Sequence, residues 1–235
     1  MSEAPVPTYH LDGNIAIITH DDGKANVVGP GTIEAFHEYL DRAATEARAV
    51  VVVGREGRFS AGFDLSVMTS SENAMRALVT DGAELLCTMY EHPLPIISAC
   101  TGHALAMGAL LLLASDVRVG AEGPFKIGLT EVAIGMPLPI FVIEFARDRL
   151  LPTAFTRATL GAEIFDPAGA AQVGYLDEAV PADEVVTTAM DRAGVLAGYR
   201  TGAYARSKQL AREALCVQVR ATLAEDMATL TGPDA

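Results

Sequence analysis

Two short stretches of this chain leave the backbone unusually bare. Residues 58–65 read RFSAGFDL and residues 102–110 read GHALAMGAL. In the first, Ala61 and Gly62 interrupt a strand-like segment, and Gly62 permits a sharp or left-handed turn. In the second, Ala104, Ala106, Gly108 and Ala109 are small, and a helix starts among them. A helix start presents free N–H groups and the positive end of the dipole, which stabilise developing negative charge. Taken singly, the first stretch also fits a strand-to-helix turn and the second close helix–strand packing. Both leave room for something to approach the backbone closely.

Among the acids, Glu131 is isolated: no other carboxylate lies between Ile127 and Pro137. Glu144, beside Arg147 and Asp148 on a helical stretch, reads as an ion-paired surface group. His103 sits in the glycine turn and reads as packing or local hydrogen bonding. No His/Asp spacing suits a nucleophilic triad, and G-x-S-x-G, GxGxxG and P-loop patterns are missing from the sequence.

The elements that must hold these residues alternate. Two short strands flank the turn signal Asp12-Gly13-Asn14, and Thr32 to Ala47 has helical spacing. Ala49–Gly54 is a continuous β-branched run, as a strand buried on both faces requires. A long helix is expected from Glu72 to Tyr90, then a buried strand in PIISAC, a helix over Gly108–Ala114 and a strand in DVRVGAE. Strand, helix, strand, helix implies an α/β layout with parallel strands. From about Asp183 the pattern becomes helical, which divides the chain into a core over 1–182 and a helical region over 183–235.

The chain has 235 residues, half of them apolar, with 6% aromatic and no Trp, so its core is built from Ala, Val, Leu, Ile and Met. A net charge of −13 without a Lys/Arg cluster argues against nucleic acid as a partner. Cys87, Cys100 and Cys216 show no metal-ligand or disulfide spacing and read as reduced core thiols of a cytoplasmic protein. Neither a signal peptide nor a membrane span is expected, since the longest apolar run, Ala104 to Ala114, is too short to cross a bilayer.

In this order, about 44 residues apart, the two bare stretches resemble the crotonase (enoyl-CoA hydratase/isomerase) superfamily, with its AGxD turn and later GxAxGG-like helix start. ISACTGHALAMGALLLLASDVRVG, FKIGLTEVAIGMPLP and GAAQVGYLDEAVPADEV resemble further blocks of that family, and the likeness runs from about residue 8 to 215. The resemblance implies a crotonase (ClpP-like) spiral of ββα units with a C-terminal helical trimerisation region, assembled as a homotrimer or a dimer of trimers. It implies an acyl-CoA thioester as substrate, with CoA entering as part of that substrate, no separate cofactor and no metal.

Residue by residue, the resemblance makes the amides of Phe63 and Met107 the oxyanion donors and Glu131 the catalytic carboxylate. It places substrate contacts at Lys24, Ala25, Ala61, Gly62, Asp64, Leu65, Gly108 and Leu110, and phosphate contacts at Lys24 or Arg58. It has Lys208 reaching CoA across a subunit boundary, and the Ser66–Asn73 segment lining the acyl pocket. Two departures stand out. Leu110 occupies the position where the family's hydratases carry their first glutamate, and Ala106-Met107-Gly108 replaces the usual glycine pair. One remaining glutamate suits Δ3,Δ2-enoyl-CoA isomerases, which also have an apolar residue there. An enoyl-CoA hydratase or other crotonase reaction with a displaced acid such as Glu144, and a silent acyl-CoA-binding protein, are the alternatives.

Overall fold

The computed structural model describes residues 7–232. A hairpin, β1 (Thr8–Asp12) and β2 (Ile15–His20), turns through Gly13 at φ +59°. Then come β3 (Val27–Val28), α1 (Pro30–Glu46), β4 (Ala49–Gly54), β5 (Gly57–Ser60), β6 (Gly62–Phe63), α2 (Leu65–Met68) and α3 (Glu72–Glu91). The middle of the chain gives β7 (Ile96–Cys100), β8 (Gly102–Leu105), α4 (Met107–Ala114), β9 (Val117–Ala121) and β10 (Ile127–Gly128). It closes with α5 (Ile140–Arg149), α6 (Pro152–Ala158), α7 (Pro167–Val173), β11 (Glu178–Val180), α8 (Val185–Ala197) and α9 (Thr201–Thr229).

The strands sort into two main sheets with a regular logic. The larger has the order β1-β2-β4-β7-β9-β11, parallel except for β1, and the smaller has the order β10-β8-β5, also parallel. Each of β4, β7 and β9 feeds the large sheet, and the strand that follows each feeds the small one. Repetition of that unit is a spiral of ββα turns. Glycines permit the close corners: a Cβ on Gly102 would lie 2.0 Å from the backbone of Gly57.

Because the large sheet is covered on both faces, β4 is buried at all six positions, as its unbroken apolar run requires. Val50 and Val52 face the main core. Ala49, Val51 and Val53 face a second cluster closed by Val185, Ala189 and Ala193, spaced by one helical turn on α8. The helical region legible from about Asp183 resolves into α8 and the long α9, which packs along α3 and α5. All three cysteines are free and buried. Among the described residues, no helix is long and apolar enough to cross a membrane.

Candidate active site

The two bare stretches meet. A Cβ built on Gly62 would lie 3.0 Å from the Cβ of Ala106 and 3.5 Å from the amide nitrogen of Met107. Gly62 itself has φ +103°, which a side chain would strain. On the far side, β6 pairs with β3: the Ala61 amide donates to Ala25 O at 3.0 Å and that of Asp64 to Val28 O at 3.0 Å. The Phe63 amide lies between these two bonds, one residue after Gly62, where Ala106 and Met107 approach.

Met107 begins α4. The amides of Ala109 and Leu110 donate to Ala106 O at 2.9 and 3.1 Å, which leaves those of Met107 and Gly108 at the helix start, where no preceding turn supplies an acceptor. Ala106 holds this corner at φ +50°, ψ −121°, a region that favours glycine. The Met107 side chain finds room in the core, its Cε near Gly82 of α3. Phe63 uses the same gap: a Cβ on Gly82 would come within 2.4 Å of its ring. Both side chains point away while their amides stay at the corner.

Beside this corner lies a cavity of about 210 Å³. Ala61, Phe63, Leu65 and Ala106 border it on the strand side, Leu110 of α4 adds an apolar wall, and Met68, Val79, Phe141, Val142 and Leu230 supply the helical side. Thr130 and Glu131 contribute its polar side chains.

Glu131 precedes a single turn of 3-10 helix, Val132–Ile134, and its carbonyl accepts from Ile134 and Met136 at 3.1 and 2.9 Å. Gly135 reverses the chain at φ +78°. This tight loop presses the carboxyl inward. The residue as a whole is half-buried, yet its Oε2 is enclosed and has no hydrogen-bond partner among the described residues. Burial raises Glu131 above the ordinary carboxylate value, outweighing the lowering by its own amide and that of Thr130. Unpaired buried polar groups are rare in folded proteins. The buried Tyr175 hydroxyl, also unpartnered, feels the Glu131 charge, and burial raises it too.

Other expected site residues take different places. Lys24 is exposed, its carbonyl accepting from Arg55 Nη1 at 2.5 Å, and Ala25 reaches the site through its carbonyl bond to Ala61. Asp64 caps α2, accepting from the Ser66 amide at 2.8 Å. Gly108 is a contact position, since a Cβ there would lie 2.3 Å from Ser60 O. Arg58 is exposed near His103, whose Nδ1 accepts from the Lys126 amide at 3.0 Å while its ring meets Phe125 edge-on. Glu144 pairs with Arg147 at 3.7 Å and lies outside the cavity wall.

Lys208 requires a correction. Rather than extending toward a neighbouring subunit, it is 5% exposed, with Nζ 2.6 Å from Asp116 Oδ2 and 3.1 Å from Leu94 O. The Asp116 carboxylate, fixed at the start of the interior strands β7 and β9, captures it.

Residues 10–231 match the family described as enoyl-CoA hydratase/isomerase. The chain belongs to that family. An enoyl-CoA hydratase/isomerase family protein from Pseudomonas syringae superposes with a TM-score of 0.94 at 43% identity, covering 96% of this chain and 98% of its own. Human mitochondrial enoyl-CoA delta isomerase 1 is 32% identical over 155 residues, 65% of this chain and 51% of its own length. A probable enoyl-CoA hydratase of Bacillus subtilis is 31% identical over 180 residues, 72% of this chain and 69% of its own length. This chain therefore spans about half the length of the human relative. The crotonase fold expected from the motifs is the fold observed, and family members with both reactions are similar to it at comparable identity.

Proposed function

We propose that this protein is a Δ3,Δ2-enoyl-CoA isomerase that works with one carboxylate. The observation that carries this reading is the cavity wall itself: among the described lining residues, Glu131 is the one carboxylate, and Leu110 fills the neighbouring helical position with hydrocarbon. Hydration needs a water held, deprotonated and its second proton delivered. Isomerisation needs one group that takes a proton and returns it elsewhere.

The steps balance with Glu131 alone. Its carboxylate takes a proton from carbon 2 of a 3-enoyl thioester, and the C–H pair becomes the carbon 1–carbon 2 bond of a dienolate. The charge moves to the thioester oxygen, where the amides of Phe63 and Met107 stabilise it. Donors of this kind contribute on the order of 3 kcal/mol each. The protonated Glu131 then delivers the proton to carbon 4, the double bond settles between carbons 2 and 3, and the carboxylate is regenerated. Burial supports the first step, because a raised carboxylate is a stronger base.

CoA enters as part of the thioester, and the exposed Lys24 beside Ala25 is the cation offered to its phosphates. We assign the helical region 183–235 to oligomerisation, as a homotrimer or dimer of trimers. The exposed Leu210 and Val217 of α9 support that role. The test is a paired turnover assay with a 3-enoyl-CoA and, separately, a 2-enoyl-CoA, following absorbance of the conjugated thioester, with Glu131→Gln as control. Gain of conjugation from the 3-enoyl substrate, lost in the variant, is the expected result. Hydration of the 2-enoyl substrate points instead to a hydratase with a second acid, and binding without turnover to a silent acyl-CoA-binding protein.

A further inference from the structure

The cavity takes its walls from distant parts of the chain, and one wall is the end of the C-terminal helix. Leu230, which caps α9, is 4% exposed and lines the cavity together with Val79 of α3 and Phe141 and Val142 of α5. Its seat is fixed by a specific bond. Four residues earlier, Asp226 Oδ2 accepts from the Ile140 amide at 2.6 Å, at the first residue of α5, and Pro139 just before it is part of the cavity wall. Residues i and i+4 share a helix face, so the bond that seats Asp226 also seats Leu230. Past Leu230 the chain stays against α3: a Cβ on Gly232 would lie 3.6 Å from Met75 Sδ.

We propose that Leu230 is a specificity-determining residue that limits acyl chain length, with the last turn of α9 as the end wall held by Asp226. It acts this way only if the cavity takes an acyl-CoA, as proposed above. The thioester belongs at the strand side, where Phe63 and Met107 present their amides, so the acyl tail runs toward the helical side. A cavity of about 210 Å³, walled at that end by Leu230, leaves room for a limited acyl tail. The substrate class is therefore short- to medium-chain 3-enoyl-CoA.

The test compares kcat/KM for 3-enoyl-CoA thioesters from hexenoyl to dodecenoyl in wild type, Leu230→Ala and Leu230→Met. Removing the end wall raises the dodecenoyl-to-hexenoyl ratio about tenfold, as one or two methylenes in an apolar pocket do elsewhere. Leu230→Met, which keeps the volume in a more pliable side chain, shifts it less in the same direction and guards against a poorly folded alanine variant. Calorimetric binding of saturated butanoyl- and decanoyl-CoA reads the same preference without turnover. An unchanged chain-length ratio in folded Leu230→Met and Leu230→Ala overturns the role of Leu230. A shifted binding preference without isomerisation leaves the role standing and removes the reaction assignment. No acyl-CoA binding at all removes both.

Discussion

Two buried carboxylates in this molecule are treated in opposite ways. Asp116 is surrounded by donors: the Ile96 amide at 2.7 Å, Lys208 at 2.6 Å and Arg212 at 2.8 Å. Lys208 and Arg212 lie one turn apart on α9, so one carboxylate staples that helix to the starts of strands β7 and β9. Burial draws Lys208 down to about 8, against the pull of Asp116 in the other direction. Glu131 has an enclosed oxygen, Oε2, without a partner among the described residues, in a wall of Leu110, Met136 and Phe141. The first arrangement satisfies charge and fixes structure. The second leaves charge uncomfortable, as the proposed role of Glu131 in taking up a proton requires.

Glu131→Gln breaks the contrast most completely. It should lower kcat about 10²- to 10⁴-fold, the usual contribution of a positioned acid–base group, with acyl-CoA binding retained in calorimetry. Asp116→Asn strikes the other side, leaving Lys208 and Arg212 buried without their counter-charge. A loss of about 3–5 kcal/mol is expected, read as a lowered midpoint in a denaturant melt followed by circular dichroism. If that variant is as stable as wild type, the staple is not one.

Linkage sharpens the comparison. Glu131 holds its proton more tightly folded than unfolded, so between the unfolded value, about 4, and the raised folded value the native state binds more protons. Stability therefore falls as pH rises through that window, and the full penalty remains above it. Glu131→Gln should melt higher than wild type at neutral pH, with the gap closing as the pH drops to the ordinary carboxylate range. A smaller effect concerns the corner at Ala106: Ala106→Gly removes the strain at φ +50° and should stabilise by about 1 kcal/mol, a few degrees in Tm. Smallest of all, Tyr175→Phe removes a hydroxyl without a partner and should leave stability within about 1 kcal/mol.

The long elements were legible because their periodicity is strong: Ala49–Gly54 is a strand with those same bounds, and the Glu72–Tyr90 helix ends one residue later than expected. Strands β3, β5, β6, β8 and β10 have only two to four residues, too few for any alternation to show. The isolation of Glu131 and the bareness around Gly62 and Ala106 could be read directly. Lys208 could not, because its partner lies 92 residues away and only the topology brings them together. The helical side of the cavity is hidden for the same reason. Val79, Phe141 and Leu230 are ordinary core residues until α3, α5 and α9 converge on one space.

The central claim is that one carboxylate carries one proton between two carbons, and isotope transfer addresses it most directly. A 3-enoyl-CoA deuterated at carbon 2 would be converted in ordinary water and the product examined by NMR and mass spectrometry. A single enclosed Glu131 predicts that part of the deuterium reappears at carbon 4 of the same molecule. Hydrogen at carbon 4 drawn wholly from solvent at the earliest conversions would contradict the account, showing that the proton taken from carbon 2 is not the one delivered to carbon 4.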